Sequence, residues 1–201
     1  MLKFDEAALT SQLSQLSRKL RVIFAAACAE RLAPAYRCFV SADGANHPNE
    51  LERALQDVWD NPERTTSAYD SEEKIDALIE LIPQEENVEA PRSQAASNAE
   101  SAGTAIVYAL RTRLIGGPRE AVWAARAAYE ALDNFIINTE GISITTAEGE
   151  SRVLMHPLLQ AELRRQRRDL DELCSPTEPS VAIVERLRAR ARADAHRFLS
   201  I

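Results

Sequence analysis

The chain has 201 residues, of which 45% are hydrophobic and 27% charged, with six glycines and 5% aromatics. That length can bury a core without disulfides or metals, and this composition excludes global disorder and favours helix over sheet. The formal net charge of −7 is uneven, since residues 1–100 carry 18 acids against 10 bases and residues 101–201 carry 13 against 14.

The spacing of Leu9, Leu13 and Leu16 predicts a first helix from Asp5 to Leu16. A second runs from Ser17 to Leu32 and turns Leu20, Phe24, Ala27, Cys28 and Leu32 inward. Pro34 is expected to stop or kink it, because proline brings no backbone donor and clashes with the preceding turn. Helix resumes over Ala35 to Val40, and Ser41 to Asn49 reads as a loop marked by Asp43-Gly44 and His47-Pro48. Asn49 then caps a helix to Asp60 with Leu51, Leu55, Val58 and Trp59 on its apolar stripe. Asp70-Ser71-Glu72-Glu73 has the order of a capping box, with Asp70 as the cap, and Ile75, Leu78, Ile79 and Ile82 follow at helical spacing.

Residues 84–92 read as a polar connection within one domain. Ser93 to Leu114 is rich in small residues (Ala95, Ala99, Ala102, Gly103, Ala105), which let neighbouring helices approach and predict a central element. Gly116-Gly117-Pro118 closes it and opens the next helix, Pro118 to Ile137. From Asn138 to Met155 the pattern changes. Ile142-Ser143-Ile144-Thr145 alternates like a strand and Glu148-Gly149-Glu150 could turn it back, so a short hairpin or a mobile loop is expected there. Pro157 opens a helix to Cys174, Ser175 to Pro179 breaks it, and Ser180 caps a last helix that buries Val184, Leu187, Ala191, Ala195 and Phe198. The fold class expected is all-α: one domain over residues 1–201, a bundle of about seven to eight helices with one irregular or hairpin segment near 138–155.

Cys28, Cys38 and Cys174 are an odd number without tight spacing, which fits a reducing compartment rather than a disulfide framework. The N-terminus lacks the basic-then-apolar order of a signal peptide, and the longest apolar run, Val22 to Ala29, is far short of the roughly 20 residues that span a bilayer. A cytoplasmic protein is the expectation, with no membrane partner.

Motifs for chemistry are sparse. Neither His-Glu-x-x-His nor Cys-x-x-Cys occurs, and the residues three before His47, His156 and His196 are Gly44, Val153 and Ala193, which disfavours a di-iron bundle. Walker and dinucleotide fingerprints are missing too, so no metal and no cofactor is expected. Glu130/Asp133 and Asp169/Glu172 are acidic pairs three apart, read as solvated faces or partners for nearby arginines. Arg164-Arg165-Gln166-Arg167-Arg168 reads as a solvated basic face. Arg186, Arg190 and Arg197 form one stripe of the last helix, and Arg188 and Arg192 another. With the acidic first half nearby, intramolecular pairing of these arginines is expected, and no nucleic-acid partner. His156, just before Pro157 at a helix start, reads as a cap or packing residue, with a ligand or base role as the alternative.

Several phrases carry a family resemblance: Phe24-Ala25-Ala26-Ala27-Cys28-Ala29-Glu30-Arg31-Leu32-Ala33-Pro34-Ala35-Tyr36, Leu55 to Trp59, the small-residue helix from Ala99 to Leu114, and His156-Pro157-Leu158-Leu159-Gln160-Ala161-Glu162. In their order the chain resembles the YjaG-like family of bacterial proteins (domain-of-unknown-function family 416). The resemblance implies an all-α cytosolic protein from a family without an assigned activity. If it shares a site, the ligand- or partner-binding residues in matching phrases are Glu30, Arg31, Tyr36, His156 and Gln160, and no catalytic residue is implied. The expectation is a non-enzymatic helical interaction or regulatory module that binds a protein or itself. The alternative is an enzyme or small-ligand-binding protein with a site between helices near His156 and Glu30/Arg31.

Overall fold

A computed structural model describes residues 1–42, 50–63, 69–84, 92–174, 181–196 and 199. Among them, nine helices and no strands form the regular structure: α1 (Glu6–Ser14), α2 (Arg18–Ala42), α3 (Glu50–Asp60), α4 (Glu72–Ile79), α5 (Ser93–Ile115), α6 (Pro118–Glu140), α7 (Ala147–Met155), α8 (Pro157–Leu173) and α9 (Val181–Ala193). The expected loop around Asp43-Gly44 and His47-Pro48, the Asn49 cap, the interior of 84–92, the Ser175–Pro179 break, the Ser180 cap, Arg197 and Phe198 lie outside the described residues.

The centre of the bundle is the pair α2 and α5, with α6 packed on both. From Val22 to Ala33 every residue of α2 is buried, so this stretch is covered on all sides. Its run of alanines, and Ala99, Ala102, Ala105 and Ala109 on α5, keep the two helices' side chains short at their contact. Gly103 of α5 instead makes room for Ile82, just beyond α4, because a Cβ there would lie 2.9 Å from Cγ1 of Ile82. One hydrophobic cluster reaches from Leu13 on α1 to Leu199 and draws on all nine helices.

Two local expectations need correction, and one is narrowed. The 138–155 segment is no hairpin, and its irregular part is confined to residues 141–146. Instead α6 continues to Glu140, Gly141 caps it in the left-handed region at φ 60°, and α7 begins at Ala147 with Thr146 accepting the Gly149 amide at 3.1 Å. The apparent alternation misled because Ile142 and Ile144 do not share a buried face: Ile142 is buried and Ile144 is exposed. Gly149 is a helix residue placed where the 142–146 turn folds back, and a Cβ would meet the Ser143 carbonyl oxygen at 1.8 Å. This helix brings the number above the seven to eight expected.

Pro34 does not stop α2, which is helical from Arg18 through Ala42. Proline supplies no N–H to the Glu30 carbonyl, and one residue on, the Arg31 carbonyl accepts the His196 amide at 2.8 Å. The α4 cap is Ser71, whose hydroxyl accepts the Lys74 amide at 3.2 Å, and not Asp70. Asp70 is instead 2.9 Å from the buried Arg113, which also pairs with Asp57 at 2.9 Å. A buried cation needs neutralising charge more than a helix end needs one particular cap.

Candidate functional site

A charge in the middle of an apolar helix must find its counter-charge across the core. Arg31 lies in the buried stretch of α2, with none of its side chain exposed. α8 supplies the partners. On a helix, positions 162, 166 and 169 follow i, i+4, i+7 and share one face, so Glu162, Gln166 and Asp169 turn together toward α2. Arg31 Nε donates to Glu162 Oε1 and Oε2 at 3.1 and 3.0 Å, and Nη2 donates to Oε1 at 2.9 Å. Nη1 donates to Asp169 Oδ2 at 2.8 Å, and Nη2 also reaches Cys28 Sγ at 3.4 Å.

The carboxylates are held from other sides as well. Gln166 Nε2 donates to Glu162 Oε1 and to the Ala125 carbonyl of α6, both at 3.0 Å. His196 Nε2 lies 2.9 Å from Glu162 Oε2, and the carboxylate, which can only accept, makes the imidazole the donor. Arg190 of α9 donates to Asp169 Oδ1 at 2.7 Å. Burial by itself would push the Glu162 carboxyl up, but the Arg31 guanidinium and the His196 hydrogen bond outweigh it and hold the group well below the ordinary carboxylate range. Burial raises the Cys28 thiol to about 12, against the pull of Arg31, so at neutral pH it is a protonated core residue.

Glu30 extends the network to a third side. Its Oε2 accepts the Trp59 indole N–H of α3 at 2.8 Å, and its Oε1 accepts Arg192 of α9 at 2.9 Å. The carbonyl of Leu199, itself buried, accepts from Asn98 of α5 at 2.9 Å. The centre therefore joins α2, α3, α6, α8 and α9, and His196 and Leu199 are each fastened against the bundle.

The residues singled out in the sequence fall into separate places. Glu30 and Arg31 belong to this centre. Tyr36 is buried one turn further along α2, where burial first and then the Glu52 carboxylate raise its phenol. His156 and Gln160 are on another side of α8: Gln160 is two residues from Glu162, and two residues rotate a helix by about 200°. His156 caps α8 with Nδ1 accepting the Leu158 amide at 3.3 Å, while its Nε2 lies 3.0 Å from Glu140 Oε1. Gln160 accepts the Leu2 amide at 3.0 Å and donates to the Leu2 and Leu154 carbonyls, both at 2.8 Å. The structure does not join His156 to Glu30/Arg31 in one site.

Glu162 and His196 were not singled out, although both belong to the centre. The signal available was polar residues at helix-face spacing among Leu159, Leu163 and Leu170, opposite a lone arginine in an apolar run. The α9 arginines pair as expected for those described: Arg186 and Arg190 with Glu172, Arg190 also with Asp169, Arg188 with Asp60, and Arg192 with Glu30. Among the described residues, no group of three His, Cys, Asp or Glu side chains is placed to hold a metal ion, and no helix is long and apolar enough to cross a membrane.

Comparison with known proteins gives a family without an activity. A family model described as a protein of unknown function, DUF416, matches residues 8–196. A crystal structure of a DUF416 family protein from Shewanella baltica OS155 superposes with a TM-score of 0.77 at 19% identity, covering 90% of this chain and 92% of that one. That likeness establishes a shared fold. No curated protein matches the sequence. With a family match across nearly its whole length and the same helical fold, the chain belongs to the DUF416 family.

Proposed function

We propose that this chain is a non-enzymatic helical interaction module whose working surface lies outside the buried polar centre. The observation that supports this reading is the engagement of Arg31: Nε, Nη1 and Nη2 all donate to groups of the chain itself, and its carboxylate partners are held in turn by Gln166, His196 and Arg190. A network so engaged fixes the fold and leaves recognition to the exposed helix faces. In-cell cross-linking followed by mass spectrometry tests it. Reproducible cross-links from exposed faces to one partner, or to a second copy, are the expected result. Cross-links confined to the chain itself, together with a small-molecule substrate turned over by the pure protein, would overturn it.

The second reading, a small-ligand site, is favoured by the partly exposed His156 imidazole 3.0 Å from Glu140, a pairing that can orient and polarise a histidine. It would place the ligand at the α6–α8 corner with Gln160 nearby, and His156→Ala would abolish ligand binding without lowering stability by more than about 1 kcal/mol.

A further inference from the structure

The arginines of this protein are not equally engaged. Arg31, Arg113, Arg186, Arg188, Arg190 and Arg192 each have a carboxylate oxygen within 3.0 Å. Along the exposed side of α8 the balance differs. Arg164 has no counter-ion among the described residues, and Arg167 approaches Asp171 only to 3.9 Å, with both side chains about two-thirds exposed. Arg165 and Arg168 share the Asp194 carboxylate, and Arg168 also approaches Asp169, at 3.7 Å, which lies outside the groove lining and is already paired with Arg31 and Arg190. These four arginines line an open groove of about 860 Å³, walled on one side by Met1 and Leu2, and Gln160 holds the Leu2 backbone there by both its N–H and its carbonyl. Four cations against two carboxylates give the groove a positive surplus on a chain whose net charge is −7.

We propose that this groove binds an extended acidic segment of a partner protein, with Arg164, Arg167 and Arg168 as its contacts. The inference rests on the interaction-module reading and names the surface and the chemistry of the partner. Arg164 and Arg168 are one helical turn apart, about 6 Å along the axis. Alternate side chains of an extended peptide repeat at about 6–7 Å on one face, so successive Asp or Glu carboxylates meet successive guanidinium groups, each able to take a carboxylate through two N–H donors. A single phosphate would need the cations to converge on one point, and here they are strung along a helix. A longer polyanion such as RNA would run past the groove onto an acidic molecule, and among the described residues no aromatic side chain lines the groove to stack a base.

The test is fluorescence anisotropy of the whole chain with a labelled oligoglutamate peptide in about 150 mM salt, where exposed charges beyond about 8 Å are screened. The expected result is saturable binding that R164E/R167E weakens by about tenfold or more. An off-groove double reversal, R53E/R126E, changes the net charge equally and is expected to leave binding within about twofold. Both variants are checked by circular dichroism and thermal melting, and R164Q/R167Q replaces the reversal if it fails to fold. No saturable binding, equal loss in both variants, or tighter binding of a single-stranded RNA or of inorganic polyphosphate would each overturn the proposal. Cross-linking of the R164E/R167E protein separates the two readings: partners retained in full leave the interaction module standing and remove the groove from it, and partners lost support both.

Discussion

Arg31 and Glu162 are 131 residues apart in the chain and meet with both side chains fully buried, through three hydrogen bonds of 2.9–3.1 Å. Taking two charges out of water is costly, and their attraction and hydrogen bonds offset that cost only while both are present. Replacing Arg31 with Met therefore leaves Glu162 and Asp169 buried without their main cation. The expected loss is about 3–5 kcal/mol, as for other broken buried pairs, read from the urea midpoint. A combined Arg31→Met, Glu162→Leu, Asp169→Asn protein should recover part of that loss, because none of the three then leaves a buried charge without its partner.

Acid dependence follows from the same pair. Glu162 is held below its ordinary range in the folded chain, whereas an unfolded glutamate titrates at about 4.3. Between those values the unfolded state binds more protons, so stability rises with pH there. The Glu162 contribution is complete above the unfolded value and is lost as pH falls toward the folded one. In Glu162→Gln the acid limb of the stability–pH curve, below about pH 4.3, should flatten. An unchanged slope would show that other carboxylates, such as Glu172 and Asp194, carry it.

Gly103→Leu should destabilise by about 1–3 kcal/mol through overpacking. Even a Cβ at this position crowds Ile82, so Ile82→Ala in the same chain should recover part of the loss. A melting temperature unaffected by Gly103→Leu would contradict the packing of Ile82 on α5.

Much of the fold was legible in the residues, and the reasons it was not always so are specific. The core helices show a helical period or a run of small residues, and Gly116-Gly117-Pro118 marks a junction by backbone geometry alone. Residues 138–155 failed because two isoleucines two apart mimic a strand, and only tertiary contact shows that one faces water. Asp70 and Ser71 are adjacent acceptors at one helix start, and the choice between them is made by Arg113, 43 residues away. The candidate site was legible in one half. Glu30 and Arg31 were visible as charges in an apolar run, but their partners on α3, α8 and α9 depend on which helices cross, which no local pattern states.

The three thiols should divide by accessibility. Cys28 is buried and its proton is tightly held, whereas Cys38 and Cys174 are exposed. A thiol-reactive chromophore should label two cysteines in the native protein and the third only after denaturant is added. Rapid labelling of all three would show that the Arg31 centre opens on the timescale of the assay.

Leu2 and His196 are both tied to α8, through side chains only two residues apart and on different sides of the helix. The two extremities of a chain are ordinarily where local opening starts, independently of the rest. Here both segments are tied to one helix whose inner face carries the partners of Arg31, so their opening is expected to follow that of one cooperative unit. Amide hydrogen exchange at His196, whose N–H is held by the Arg31 carbonyl, would then report the opening of the whole bundle instead of the fraying of its edge.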